Sequence, residues 1–208
     1  DPGLEAAIRD ATGKPSGDIY QSDLDVLTAF FGNNRNIVDL TGIENCINLT
    51  ILHLEDNQID VISPLSGLSQ LQELYLEKNG IYDVSWLSSL TNLNQVFLSE
   101  NNISDIQPLV DNPDIDSGDI LSLNCNPLSE TSLTTHIPTL DGRGVILDYS
   151  LQPSIPLLLS PANGCISVTL MPTLEWDFSA NADRYNLQVS TVEDFSTTVL
   201  NYEGNALP

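Results

Sequence analysis

Apolar residues recur along this chain at a fixed interval of 22 positions. Leu49, Leu52 and Leu54 form one set, and aliphatic residues stand again 22 and 44 positions later. The alternation around Leu52 and Leu54 is typical of a short strand. A polar stretch with one asparagine follows each set, and an isoleucine stands two positions after the first three asparagines. The asparagines are Asn57, Asn79, Asn101 and, after a three-residue insertion, Asn126.

A fixed period of this length predicts a solenoid, in which each unit is one right-handed turn. The short strand of each turn pairs in parallel with the next strand, about 4.8 Å away. After the strand the chain must turn sharply, which leaves buried backbone N–H and C=O groups without partners in the sheet. Each such unpaired group costs ~1–3 kcal/mol of stability. An asparagine amide both donates and accepts hydrogen bonds. The repeated asparagines are therefore predicted to bridge consecutive turns as a structural ladder.

The segments on the opposite side of each turn are too short for full helices. They read SPLSGL, SWLSSL and QPLVDN, and they predict 3₁₀ turns or one-turn helices.

A helical cap is predicted before the repeats, because the open end of a solenoid would otherwise expose its core. Asp1-Pro2 should open one helix that ends at Gly13. A second helix is predicted from Ser22 through Phe31. After the repeats, a short helix and a last strand at 145–149 should close the other end. The predicted organisation is a cap at 1–36, repeats at 37–128, a C-terminal repeat and cap at 129–150, a linker at 151–154 and another domain at 155–208.

Residues 155–208 follow a different pattern. Prolines interrupt the repeat, and Leu174, Trp176, Tyr185 and Leu187 then alternate with a period of two. This alternation is typical of a β-sandwich. Such a sandwich needs about 90–100 residues, so we expect part of a domain and a longer parent protein.

The repeat motif L-x-x-L-x-L-x-x-N-x-I resembles leucine-rich repeats, and its 22-residue form resembles bacterial surface proteins of the internalin type over residues 1–150. The SPANG entry, Trp176 and Tyr185 resemble the start of a fibronectin type III or immunoglobulin-like domain. The expected fold is an α/β solenoid, a right-handed leucine-rich repeat superhelix with a parallel concave sheet and a helical N-cap, plus a partial all-β sandwich. The resemblance implies an extracellular or cell-surface location.

The net charge and the absence of certain motifs exclude several classes of function. The chain carries 29 acidic and 6 basic residues, for a net charge of −23. Nucleic acids require a basic footprint, which this chain lacks. No apolar run approaches the roughly 18 residues of a membrane span. Known catalytic motifs are absent from the sequence, so we expect no enzyme activity, no cofactor and no metal, and we expect a monomer.

The outward strand positions are the candidate site, because the fold does not dictate them. Large aromatic and acidic side chains share these positions on three successive strands. The candidate ligand-binding residues are His53, Glu55, Glu73, Tyr75, Glu77, Gln95 and Phe97. Aromatics flanked by acids favour a cationic or amphipathic partner. Packing between neighbouring strands is the other explanation of the aromatics, and a metal at His53, Glu55 and Glu77 is a weaker one.

Two functions follow from these observations. The first is a non-catalytic binding module of a secreted or cell-surface bacterial protein, which recognises a protein, peptide or glycan on its concave face. The second is a structural spacer or accessory domain of a larger extracellular enzyme or adhesin.

Overall fold

The computed structural model describes residues 1–150 in full, and beyond them only four strands. Those strands are β7 (Leu158–Ser160), β8 (Glu175–Trp176), β9 (Arg184–Ser190) and β10 (Thr198–Asn205). The chain divides into two compact units, Asp1–Ser150 and Leu151–Pro208.

The first unit is built on a six-stranded parallel sheet in which each strand pairs with the next one along the chain. Leu52 lies beside Leu74, and Leu74 lies beside Val96, as the 22-residue period predicts. The parallel solenoid sheet is therefore confirmed. Its strands are β1 (Ala29–Phe31), β2 (Ile51–His53), β3 (Glu73–Tyr75), β4 (Gln95–Phe97), β5 (Ile120–Ser122) and β6 (Ile146–Asp148).

The core runs continuously behind this sheet, from Leu4 in the first helix to Val145 before the last strand. The repeated leucines Leu54, Leu76 and Leu98 are fully buried. On the opposite side the chain makes the predicted short turns. They are 3₁₀ helices at Ile43–Asn45, Ser63–Gly67 and Ser85–Ser89 and a one-turn helix, α3, at Gln107–Asp111.

Two helices precede the sheet, and the first one has the predicted ends. Helix α1 (Pro2–Thr12) begins after Asp1, whose Oδ1 accepts a hydrogen bond of 2.9 Å from the backbone N–H of Leu4. It ends at Gly13, which adopts the left-handed conformation at φ 65°. Glycine takes this conformation without a Cβ penalty. Helix α2 is only one turn long, Gln21–Leu24.

The predicted second helix through Phe31 is wrong. Phe30 and Phe31 lie in β1, where Phe30 pairs with Leu52 and is fully buried. Phe30 stands 22 positions before Leu52, so it occupies the same core position one turn earlier. Pairing with β2 and burial of Phe30 outweigh a weak local helix preference. The sheet therefore begins inside the segment that was assigned to a helical cap.

The C-terminal end of this unit is helical before it returns to the sheet. A π-helical turn at Ser132–His136 continues into α4 (Ile137–Arg143), and β6 then pairs with β5. This order agrees with the predicted short helix and last strand.

The second unit contains two antiparallel strand pairs, β7 with β8 and β9 with β10. Trp176 and Tyr185 lie in strands, at β8 and β9. The partial sandwich of the fibronectin type III kind falls largely outside the described residues and stays a prediction. In the part of the chain that the structure describes, we find no helix with the length and hydropathy needed to cross a membrane.

Candidate ligand-binding face

The second outward position of the first four strands carries four aromatic rings, Phe31, His53, Tyr75 and Phe97. The strand register places each ring beside the next one. Ring centroids are 5.0, 4.0 and 4.7 Å apart in chain order, and the planes of neighbouring rings differ by 25°, 7° and 6°. We call these four stacked rings the ring column.

The stacking determines which parts of the rings a ligand can contact. Inside the column each ring face is covered by its neighbour, so the rings present mainly their edges. Phe31 differs from the others, because β1 is the first strand of the sheet and Phe31 is 60% exposed. Among the described residues, its outer face has no ring partner. Phe97 ends the column on the other side, where it lies beside the buried Ser122 of β5, so the exposed end of the ring column is Phe31.

Sequence reasoning missed Phe31 as a site residue because it placed this residue in a helix. The signal was present, since Phe31 stands 22 positions before His53. Extending the outward column backwards by one period would have found it.

Carboxylates and one amide flank the ring column and bond to it. Glu55 Oε1 lies 2.8 Å from His53 Nδ1. The Tyr75 hydroxyl donates to Glu73 Oε2 at 3.2 Å and to Gln95 Oε1 at 3.4 Å. Partial burial raises the pKa of Tyr75, and the negative charge of Glu73 raises it further. The hydroxyl therefore stays protonated as a donor.

Two carboxylate oxygens on this face have no hydrogen-bond partner. They are Glu55 Oε2 and Glu77 Oε2, and both atoms are buried. Burial raises the pKa of Glu77, and the charge of Glu55 adds to this rise. A buried acceptor without a donor costs free energy. Glu55 and Glu77 therefore destabilise this part of the face electrostatically, although neither side chain is needed to fill the core.

The structure brings all seven predicted site residues onto one surface. They occupy the three outward columns of β2, β3 and β4 and of the residues that follow these strands. Glu73 and Gln95 lie on one side of the ring column, and Glu55 and Glu77 lie on the other. All seven are half-buried, so they form the floor of the concave face.

The repeated asparagines lie at the turn that follows each strand, and their amides join successive turns. Asn101 Oδ1 accepts from the N–H of Ile81 at 3.0 Å, and its Nδ2 donates to the carbonyls of Leu76 and Leu98 at 2.9 and 3.0 Å. Equivalent bonds are made by Asn57, Asn79 and Asn126. These bonds tie each turn to the one before it, so the outward columns stand on a rigid base.

The residue before each of these asparagines has a positive φ, which is uncommon outside glycine. The angles lie between 54° and 57° at Asp56, Lys78, Glu100 and Cys125. This conformation makes the sharp turn that directs the asparagine inward. Lys78 Nζ lies 3.8 Å from Asp56 Oδ1, but both side chains are about half exposed, and such pairs stabilise little.

Neither cysteine in residues 1–150 lies on the candidate face. Cys46 is fully buried and Cys125 is exposed, and both are free thiols. Within the described residues, no group of three or more histidine, cysteine, aspartate or glutamate side chains is arranged to hold a metal ion. The acidic loop at residues 111–119 has an internal hydrogen bond, in which Asp119 Oδ2 accepts from the N–H of Asp116 at 2.9 Å.

Comparison with known proteins supports the repeat assignment. The family model described as leucine rich repeats (2 copies) matches residues 69–111. No curated protein sequence matches the chain.

Solved structures extend the likeness to a larger share of the chain. An internalin (inlF) from Listeria monocytogenes is 35% identical, with a TM-score of 0.61, over 72% of this chain and 43% of that one. Internalin C2 from the same species is 25% identical over 72% of this chain and 93% of its own, with a TM-score of 0.30. A leucine-rich repeat protein from Leptospira interrogans is 20% identical over 61% of this chain and 38% of its own, with a TM-score of 0.49.

The chain thus spans less than half the length of the internalin inlF chain. The matched family description and the inlF likeness agree with the observed sheet and its 22-residue period. Residues 69–111 match leucine-rich repeats, and the solenoid of the first unit is similar to that of an internalin.

Proposed function

We propose that the first unit is a non-catalytic binding module that recognises a polypeptide on its concave face. The observation that carries this proposal is the ring column with unsatisfied carboxylates beside it. These side chains point away from the core, which is filled by leucines such as Leu54, Leu76 and Leu98. Energetically unfavourable groups at outward positions that the fold does not dictate are typical of a functional site.

Packing between strands does not by itself explain this face. Stacked rings do stabilise neighbouring strands by about 0.2–1 kcal/mol per pair. Glu55 and Glu77 act in the opposite direction, because each holds a buried oxygen without a donor. A ligand that brings cationic or hydrogen-bond donor groups would relieve that cost, since charge-assisted hydrogen bonds are among the strongest in proteins.

The geometry of the rings favours a polypeptide over a glycan. Sugars stack on exposed ring faces, and the two inner rings of the column, His53 and Tyr75, have both faces covered by neighbouring rings. A polypeptide can instead place apolar side chains along the edges and cationic ones near the carboxylates. Six strands about 4.8 Å apart give a face roughly 24 Å wide, which suits a peptide segment or a protruding loop.

The setting of this module is proposed from its relatives. The likeness to an internalin of Listeria monocytogenes supports a bacterial protein that works outside the cell or at its surface. A net charge of −23 adds long-range attraction for basic partners and faster encounter at low salt.

The test is a double variant, Tyr75→Ala with Phe97→Ala, screened with the wild-type protein on a random peptide array. The variant should lose the wild-type hits, because it removes half of the ring column. Its melting temperature should change by only a few degrees, because the leucines behind the rings remain. The control is Tyr82→Ala with Trp86→Ala, which removes two exposed aromatics that lie outside the sheet.

An unchanged set of hits for the Tyr75 and Phe97 variant would contradict the proposal. The better function would then be a spacer or accessory domain of a larger extracellular protein. One observation favours that alternative: the four rings already stack on one another without any ligand.

A further inference from the structure

We infer that the open face of Phe31 receives an arginine side chain of the polypeptide ligand, whose guanidinium stacks on Phe31 as the next plane of the ring column. This inference rests on the proposed function and identifies the chemistry of one part of the ligand.

The first step is geometric. The rings follow one another at 4.0–5.0 Å and stay within 25° of parallel. The column stops at Phe31 because the sheet stops at β1. Phe31 is the most exposed ring of the four and is 60% exposed, while its inner face stacks on His53. A planar group parallel to Phe31 would therefore continue an arrangement that the sheet has already built.

The second step is electrostatic. The face of an aromatic ring carries negative potential and attracts cations. The carboxylates of Glu55, Glu73 and Glu77 add negative charge along the same sheet surface. An approaching cation is therefore favoured both by the ring face and by the wider field of an acidic protein.

The third step is that the cations of residues 1–150 make other contacts. In residues 1–150 the only cation stacked on a ring is Lys14, whose Nζ lies 4.9 Å from the centroid of Tyr20. Arg143 donates to backbone carbonyls, including that of Val110 at 2.6 Å. The ion pairs of lysine and arginine in residues 1–150 are Arg9 with Glu5, Lys14 with Asp23, Arg35 with Asp10 and Lys78 with Asp56. None of these cations of residues 1–150 stacks on Phe31, so its exposed face is available to a cation of the partner.

Arginine fits this position better than lysine or an aromatic residue. Its guanidinium is planar and weakly hydrated, so it can lie parallel to a ring and lose little hydration. A lysine ammonium is a compact, strongly hydrated point charge. A neutral aromatic ring would stack but would gain nothing from the surrounding carboxylates.

The experiment is an NMR titration of the full 208-residue chain with N-acetyl-arginine amide. The same titration is run with the citrulline and lysine analogues, because citrulline keeps the shape of arginine without its charge. The ring signals of Phe31 and of its stacked neighbour His53 should shift saturably with arginine. Binding of either analogue should be weaker by about two- to fivefold, the size of an exposed cation–π contact.

Variants locate the site and separate the inference from the proposed function. Phe31→Leu should abolish the saturable shifts of the neighbouring His53 ring, whereas Phe97→Leu should keep them. Equal affinity for arginine and either analogue, or shifts that persist in Phe31→Leu, would overturn the inference. If the array hits depend on Tyr75 and Phe97 but arginine leaves Phe31 unmoved, the inference fails and the proposed function stands. If instead arginine shifts the signals but the array hits do not depend on Tyr75 and Phe97, the proposed function fails and Phe31 remains a cation site.

Discussion

Replacing one ladder asparagine tests the energetic role of the ladder, and the hydrogen bonds allow the cost to be counted. Asn101 is 5% exposed. In Asn101→Ala the carbonyl of Leu76 keeps a donor from Asn79 at 3.1 Å, and the carbonyl of Leu98 keeps one from Asn126 at 2.8 Å. Only the N–H of Ile81 loses its sole partner within the described residues.

One orphaned buried N–H costs about 1–3 kcal/mol of unfolding free energy. For a chain of this length each kcal/mol lowers the melting temperature by about 2–4 °C. Asn126→Ala should cost more, because it orphans both the N–H of Ile103 and the carbonyl of Leu123. The expected order of stability is therefore wild type, then Asn101→Ala, then Asn126→Ala.

Urea and thermal denaturation followed by circular dichroism would measure this order. The matched control is Asn102→Ala, since Asn102 is the next residue, is exposed, and within the described residues its side chain makes only a long bond of 3.4 Å to the carbonyl of Gly80. Equal midpoints for the Asn101 and Asn102 variants would refute the ladder. A larger loss at Asn101 than at Asn126 would refute the counting of orphaned groups.

Two further predictions concern ionisable groups. Burial raises the pKa of Glu77 above its ordinary value of 4.5, so the folded protein loses stability as the pH rises past that value. In urea melts at pH 7, Glu77→Gln should therefore be more stable than wild type. A stability gain that persists at pH 3 would contradict this prediction. Burial also raises the pKa of the Cys46 thiol to about 11. At pH 8, iodoacetamide should therefore label the exposed Cys125 in the native protein and should label Cys46 only after denaturation. Peptide mass spectrometry would measure both reactions. Equal native labelling of the two thiols would show that the core opens readily.

Much of the fold was predictable because each structural position occurs in several successive repeats. Leu74 and Val96 are one core position seen in successive turns, so the strand register followed directly from the period. The same reasoning predicted the short turns around Pro64 and Trp86. It failed at Phe30 and Phe31, where Arg35 replaces the ladder asparagine and Gly32 replaces the second core leucine. The first turn lacked the markers that identified the others.

The candidate site was predictable in its residues and unpredictable in its geometry. The period alone places His53, Tyr75 and Phe97 in one outward column. Ring orientation depends on side-chain torsions and on neighbouring atoms, so the sequence could not distinguish stacked rings from splayed ones. The orphaned oxygens of Glu55 and Glu77 depend in the same way on which donors come within reach after folding.

The sequence by itself determined the periodic features of this protein, since side-chain direction in a strand alternates strictly and a 22-residue repeat copies it from turn to turn. It therefore determined the core leucines, the outward columns and the positions of the ladder asparagines. Only the tertiary structure decided where the sheet begins, because β1 is stabilised by pairing with β2 across 22 residues of chain. That pairing in turn decided that the ring column has four members and ends at Phe31, where one aromatic face remains open.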